Sequence, residues 1–438
     1  MSDIETQLQQ RPGVQVVTQL RVEVVDGPDR GVNASGGDTL SVGTARDNAL
    51  VISDFTVSRY HLEVSAKPGG ILVTDLGSTN GTYVGAVRIE RAFVPPGTNV
   101  TLGGTTIRFD DAVKHTVPTS TDVRMYAGMI ARSPGMLRLF SDIDRIATAP
   151  TSVLVVGESG TGKERVAEAL HTLSGRAAQP LVTIDCGALS SSLLASELFG
   201  HEKGAFTGAD RVHVGAFERA GAGTVFLDEI GELPPSDQVS LLGVLERRRF
   251  RRVGGSQELE LGARVIAATN RDLRAEVNNN RFRHDLYHRL AVVVLRLPPL
   301  RDRREDIVPL VEHFARELGA AGPLEQVFGA ETLQRWLKHP WPGNVRELRN
   351  AVEAALVVGP NAHFDHFDPQ APPASPDDPT QPLGPYNDAR AVVVRDFERN
   401  YLSRLLGEAN GNVSQAARIA KMDRSHLIDL LQRHGLKG

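Results

Sequence analysis

From Leu20 to about Asp110, apolar and polar residues alternate in short runs: Arg21-Val22-Glu23-Val24-Val25, Ile71-Leu72-Val73-Thr74 and Thr105-Thr106-Ile107-Arg108-Phe109. Gly, Pro and Asn turns separate them. Alternation of period two predicts strands with one buried face, and a series of them predicts an all-β sandwich over residues 20–113, after an N-terminal tail of residues 1–19. The pattern changes near Met125. Unbroken apolar runs such as Val153-Leu154-Val155-Val156 alternate with helical segments such as Arg165–Leu170 as far as about Phe367. This predicts a parallel α/β core with helices appended at its end, over residues 125–367. Residues 368–385, rich in Pro and Asp, have too little apolar content to pack and read as a linker. Residues 386–438 are helical by period and caps, so the expected fold is multidomain: a β sandwich, an α/β domain with a helical lid, then an all-α end.

Composition narrows the setting. The 438 residues suffice for about three domains, and 41% hydrophobic with 23% charged residues is ordinary for a soluble globular protein. The longest apolar stretch, Ala291 to Leu297, is interrupted by Arg296 and falls far short of the roughly 20 residues that span a bilayer. The first residues, Met1-Ser2-Asp3-Ile4-Glu5, lack the basic and apolar regions of a secretory signal. A lone Cys186 cannot form an internal disulfide, which fits a reducing, cytoplasmic setting. With a net charge of -4, any nucleic-acid surface must be local.

The first chemistry is a phosphate loop. Strand Val153–Val156 runs into Gly157-Glu158-Ser159-Gly160-Thr161-Gly162-Lys163-Glu164 and then a helix, the context this motif requires. Its glycines let backbone N–H groups converge on phosphate at a helix N-terminus, and Lys163 reaches the β and γ phosphates of ATP. Glu164 stands where a Ser or Thr usually holds Mg2+, which leaves the metal more dependent on water and Asp228. A second apolar strand, Thr224-Val225-Phe226-Leu227, ends in Asp228 and Glu229. At such a strand end Asp228 is placed for the Mg2+ shell and Glu229 for polarising water. A third, Arg264–Thr269, ends in Thr269 and Asn270.

Between the phosphate loop and the acidic pair lies Gly204-Ala205-Phe206-Thr207-Gly208-Ala209, preceded by Ser196-Glu197-Leu198-Phe199-Gly200-His201-Glu202. Glycines on both sides of Phe206 permit a tight turn that holds the ring and the Thr207 hydroxyl out at a tip. This run resembles the loop by which bacterial enhancer-binding proteins, the AAA+ ATPase activators of sigma-54 RNA polymerase, engage their sigma factor. The family also carries Glu at the position of Glu164. The resemblance implies further roles. Thr269 and Asn270 match a sensor of the γ-phosphate. Arg283 and Arg289, in Phe282-Arg283-His284-Asp285-Leu286-Tyr287-His288-Arg289, match arginines that act on the neighbouring subunit's nucleotide. Arg346, in Trp341-Pro342-Gly343-Asn344-Val345-Arg346, matches a second sensor on the lid. Asp185 occupies the place where many relatives carry an Asn that reorients the catalytic Glu, and an ionised Asp cannot donate as Asn does.

Val42-Gly43-Thr44-Ala45-Arg46, Val57-Ser58-Arg59-Tyr60-His61 and Asp75-Leu76-Gly77-Ser78-Thr79-Asn80 resemble the signature loops of forkhead-associated (FHA) domains, which bind phosphothreonine peptides. The match implies that Ser58, Arg59 and Thr79 supply phosphate donors, that Asn80 holds the peptide backbone and that His61 supports the loop. Thr44 replaces an arginine common in that family, and Arg46 is the cation two residues on. If phosphate binding has been lost, the sandwich is a docking or oligomer contact.

At the C-terminal end, a capping box at Asn412-Val413-Ser414-Gln415 opens a helix with Ala416, Ala417 and Ala420 on one face. A turn at Lys421-Met422 and a cap at Asp423 open a second helix carrying Arg424, Ser425 and His426. The pair resembles the Fis-type helix-turn-helix, which implies that these three residues face DNA. Together the resemblances imply a cytoplasmic, hexameric ATPase that binds enhancer DNA and uses ATP with Mg2+ to remodel the sigma-54 RNA polymerase holoenzyme under control of a phosphothreonine partner. Two other classes fit parts of the pattern. A AAA+ unfoldase should show pore-loop aromatics and a substrate-handling domain, and a DNA-bound phosphopeptide scaffold should show a degraded ATPase.

Overall fold

In a computed structural model the chain is described over residues 14–37, 39–67, 70–118, 123–188 and 191–359, and at positions 402, 405, 413–420, 422, 427 and 431. It divides into two units, Met1–His363 and Phe364–Gly438.

The first unit opens with a two-sheet sandwich. One sheet orders Asn33–Gly36, Val14–Asp26, Thr105–Pro118, Asn99–Leu102, Thr82–Val84 and Val87–Ile89. The other orders Leu50–Val51, Thr39–Gly43, Leu62–Lys67, Gly70–Asp75 and Arg91–Val94. Alternation explains the faces: Val22 and Val24 are buried while Arg21 is exposed, and Ile107 and Phe109 are buried on the paired strand. Glu23 and Arg108, directly opposite in register, form a cross-strand ion pair at 3.3 Å. The sandwich is longer than the period-two pattern suggested. The strand Val14–Asp26 begins inside the expected tail of residues 1–19 and pairs with Thr105–Pro118, which passes residue 113.

The α/β core has a five-stranded sheet in the order Leu181–Asp185, Thr224–Asp228, Arg264–Thr269, Val153–Val156, Val293–Arg296, with every neighbouring pair parallel. Val153, Leu154 and Val155 are all buried, as a strand covered on both faces demands. Each such side chain contributes about 1.5–3 kcal/mol of burial. Arg264, buried at the start of its strand, donates to the carbonyls of Ile146, Ala147 and Thr151. It thereby satisfies acceptors at the C-terminus of helix Pro134–Ile146. Helices Ile307–Glu317, Ala330–Lys338 and Asn344–Val358 form the lid around Phe314, Phe328, Trp336 and Leu348.

In the second unit, Val413–Ile419 is helical, and Val413, Ala416 and Ala417 are buried with Leu402, Leu405, Leu427 and Leu431. The small-residue face therefore is a packing face. Arg424, Ser425 and His426 lie outside the described residues, as does the segment 368–385. Among the described residues no helix is long and apolar enough to cross a membrane.

Candidate functional site: a phosphate loop facing two strand ends

Parallel register brings the chemistry together. Asp185 pairs with Asp228, and Val156 with Thr269, so the strands deliver their polar residues to one edge. The C-terminal ends of parallel strands are where such sheets bind ligands. Gly157 N–H donates to the Thr269 carbonyl at 3.2 Å, fixing the start of the phosphate loop to the neighbouring strand. Helix Lys163–Thr172 follows directly. Gly160 has φ +75°, and a Cβ there would meet the Gly343 carbonyl oxygen at 2.3 Å. No other residue type fits that approach of loop to lid.

Lys163 is 7% exposed, and its Nζ donates to Glu229 Oε1 and to the Gly157 carbonyl, each at 3.1 Å. Glu229 is itself positioned from several sides. Its backbone is left-handed at φ +48°, its N–H donates to Asp228 Oδ1 at 3.0 Å, and its Oε2 accepts from Asn270 N–H at 3.0 Å. Burial, reinforced by the neighbouring Glu229 and Asp185 charges, raises the Asp228 carboxyl above the ordinary carboxylate range. Cys186, beside Asp185, is buried, and its thiol is pushed up to about 12 chiefly by burial. Asp185 Oδ1 accepts from Gly187 and Ala188 N–H at 2.9 and 3.2 Å, a local turn. Glu164 is exposed in the first turn of the helix. Thr269 is buried, and its Oγ1 accepts from Arg271 N–H.

The lid closes over the loop from the other side. Arg346 Nη1 donates to Ser159 Oγ at 3.3 Å, and the N–H groups of Val345 and Arg346 donate to the Gly160 carbonyl. Thr161 Oγ1 donates to the Glu158 carbonyl at 2.7 Å. The Glu158 side chain is taken by Arg301 at 2.5 and 2.8 Å and by Asn344 Nδ2 at 3.2 Å, so it ties loop to lid. The Arg301 guanidinium holds its carboxyl below the usual range. Asn344 and Arg303 are residues the sequence reading missed. Buried Asn344 also donates to the Ser159 carbonyl and accepts from Leu300 N–H, and buried Arg303 donates to the Thr161 carbonyl. The charge-dense run Arg301–Asp306 was the available signal, because burying such residues requires partners.

Arg283 caps the start of the seven-residue helix His284–Leu290, Arg289 lies in its last turn, and both are exposed. Arg283 makes a two-point ion pair with Asp285 at 2.7 and 3.0 Å, and Arg289 lies 3.8 Å from Glu246.

The glycine-flanked loop is a closed turn: Gly204 N–H donates to the Ala209 carbonyl and Ala209 N–H to the Phe206 carbonyl, with φ +83° at Gly204 and +96° at Gly208. Phe206 is 36% exposed and stands edge-on to His201, with ring centroids 4.9 Å apart. Thr207 and Gly208 are exposed and Ala205 is half-buried, whereas Ala209 is buried at the base, so the last residue of the expected contact loop is an anchor. Ser196, Glu202, His213 and Arg252 brace that base through hydrogen bonds and ion pairs.

In the sandwich, buried His61 accepts from Ser58 N–H at Nδ1, so Nε2 donates to the Gly81 carbonyl at 3.1 Å. Burial holds its imidazole below the ordinary range, neutral as this bonding needs. Ser58 Oγ accepts from Thr79 N–H at 3.0 Å, and Asn80 Nδ2 donates to the Thr56 carbonyl at 2.7 Å. Arg46 and Arg59 are exposed. Tyr60, unassigned by the sequence reading, is buried against Tyr287 of the α/β domain.

Residues 129–296 match the sigma-54 interaction domain family, residues 301–381 the AAA+ ATPase lid domain and residues 40–103 the FHA domain. Over 307 residues the chain is 44% identical to the transcriptional regulatory protein ZraR of Escherichia coli (strain K12), covering 70% of this chain and 68% of that one. The chain belongs to the sigma-54-dependent transcriptional regulators. It is likewise 41% identical over 328 residues to the transcriptional regulatory protein GlrR of the same strain, covering 75% of this chain and 72% of that one. Among solved structures, NtrX from Brucella abortus in complex with ATP is 34% identical, with a TM-score of 0.50, covering 70% of this chain and 69% of that one. As a sigma-54-dependent regulator the chain carries a AAA+ ATPase, preceded by an FHA domain.

Proposed function

We propose that this regulator binds MgATP at the phosphate loop, hydrolyses it between subunits of a ring, and uses the Phe206-Thr207 tip to remodel the sigma-54 RNA polymerase closed complex. The observation that supports it most directly is the Glu229 carboxylate, held by its strained backbone and Asn270 while bonded to the Lys163 ammonium. Lys163 then binds the β and γ phosphates, and Glu229, no longer paired with it, accepts a proton from the attacking water. The Asn270 N–H holds Glu229 in place, Thr269 and Asn270 sense the γ-phosphate, and Arg346 reaches the nucleotide from the lid. The residues fit a metal: Asp228 lies at the strand end, and exposed Glu164 leaves its remaining shell to phosphate and water. Mg2+, when bound, neutralises phosphate charge there. Asp185 orients Glu229 only indirectly, through its strand's pairing with the strand that ends at Asp228.

Exposure of Arg283 and Arg289 suits groups that act on a neighbour's nucleotide, which makes a hexameric ring the working form. Residues 386–438 form a Fis-type helix-turn-helix in which Arg424, Ser425 and His426 read enhancer DNA beyond a linker of residues 368–385. The FHA domain, residues 20–113 extended to the strand ends, binds a phosphothreonine protein or peptide through Arg46, Ser58, Arg59, Thr79 and Asn80.

The test is a pair of variants. Glu229→Ala keeps ATP binding and loses hydrolysis, whereas Lys163→Ala loses binding, both read by fluorescent-nucleotide titration and phosphate release. Wild-type turnover in Glu229→Ala would remove Glu229 from the chemistry.

A further inference from the structure

The loops assigned to phosphothreonine face the ATPase domain as well as solvent. Two concavities meet at Arg59. One, of about 400 Å3, lies between Ser58, Thr79 and Asn80 on the sandwich side and Asn278 and Asn280 on the ATPase side. The other, of about 600 Å3, lies between Arg46 and Arg59 on one side and His284 and His288 on the other. The sandwich alone lacks the arginine that Thr44 replaces. The ATPase domain supplies polar donors in its place.

Charge favours an anion here. Among the described residues neither the Arg46 nor the Arg59 guanidinium makes a hydrogen bond or ion pair, and the facing His284 and His288 share one Nε2–Nε2 hydrogen bond at 2.8 Å. The one carboxylate present, Asp47, accepts from the Tyr60 hydroxyl at 3.0 and 3.1 Å. Burial, then His288 and then Arg59 hold His284 below the ordinary imidazole range, and a phosphate dianion would oppose the last two.

The contact is also built to transmit. Asn278 Nδ2 donates to the carbonyls of Tyr60 at 2.5 Å and Leu76 at 2.9 Å, one in each of two signature loops. Arg274 Nη2 pairs with Glu63 at 2.6 Å, and Tyr60 lies edge-on to Tyr287 with centroids 5.6 Å apart. The same stretch continues into the helix His284–Leu290, with Arg283 before it and Arg289 in its last turn.

We propose that a phosphothreonine peptide sits in a groove with two walls, one from the FHA domain and one from residues 278–288 of the ATPase domain, so that its occupancy is felt by the helix carrying Arg283 and Arg289. This rests on the phosphothreonine reading of the FHA domain. Ser58 and Asn80 hold the ligand from the sandwich, while Asn280, His284 and His288 complete phosphate and backbone contacts from across the groove.

The experiment uses the full chain with a fluorescein-labelled degenerate phosphothreonine peptide library and its unphosphorylated twin, followed by anisotropy and hydrogen exchange. Wild type prefers the phosphorylated library and loses exchange over residues 278–288 when it binds. Asn280→Asp, and separately His284→Gln with His288→Gln, weaken binding at least about fivefold. Asn280 has φ +55°, a conformation Asp also tolerates, so that variant remains informative if the histidine pair fails to fold. Wild-type affinity in the ATPase-side variants, or binding without protection of residues 278–288, overturns the proposal. If Ser58→Ala abolishes binding while those variants bind normally, the FHA reading stands and the shared groove falls. No preference for the phosphorylated library removes both.

Discussion

Asp228 illustrates how one residue's environment sets both chemistry and stability. Its carboxyl is raised chiefly by burial, so the folded state binds the proton more tightly than the unfolded chain does. Above the folded-state value this residue is charged in both states and costs stability; below the unfolded value it is protonated in both and costs none. Asp228→Asn is therefore expected to abolish hydrolysis and to raise the thermal midpoint at pH 8, with a gain that shrinks toward pH 4. A melting series across that range checks it, and a destabilised Asp228→Asn at pH 8 would contradict the assignment. At this scale the sequence was informative wherever a motif fixes the backbone: Lys163, Asp228, Glu229 and Asn270 converge as the strand order requires. It was silent on Tyr60 and Asn344, whose partners come from 218 and 185 residues away. No local period encodes such a contact.

Elements explain how the phosphate loop meets the lid. Glu158 accepts two hydrogen bonds from Arg301 and one from Asn344, while the helix Asn344–Val358 sends Arg346 to Ser159. The Glu158–Arg301 pair is partly exposed, with side chains 42% and 36% accessible, so its loss should cost about 0.5–1 kcal/mol. Arg301→Met is accordingly expected to weaken ATP binding by no more than about fivefold. Titration of a fluorescent nucleotide reads this directly, and a hundredfold loss would mean that Arg301 itself touches the nucleotide. Strands were legible from their apolar runs, and the three phosphate-side strands begin where the sequence placed them. Strand ends were less so: Val14 and Pro118 lengthen the sandwich because two marginal segments stabilise each other across the sheet, a gain neither shows alone. Within the charged run Arg301–Asp306 only Arg303 and Asp306 are buried, and Asp306 accepts from Arg132 and Ser133 N–H and from Ser133 Oγ, partners no local pattern reveals.

At the scale of the whole molecule, Arg283, Arg289 and the Phe206-Thr207 tip are all exposed, and the proposed function gives them two different neighbours, another subunit and the sigma factor. If Arg283 completes a neighbour's site, Arg283→Ala should lower turnover by roughly 10³-fold or more, because such an arginine stabilises transition-state charge. Mixing inactive Arg283→Ala with inactive Glu229→Ala should restore part of the ATPase activity, since some interfaces then pair an intact arginine with an intact Glu229. A mixture as inactive as its components would place Arg283 in its own subunit's chemistry. The central claim is that hydrolysis drives the glycine-flanked loop against sigma-54 polymerase, and Thr207→Ala separates energy production from its use. The decisive measurement is open-complex formation by purified sigma-54 holoenzyme on a sigma-54-dependent promoter, with ATPase activity assayed in the same reaction. The account predicts near-normal hydrolysis by Thr207→Ala and no open complex; normal promoter opening by that variant would contradict it.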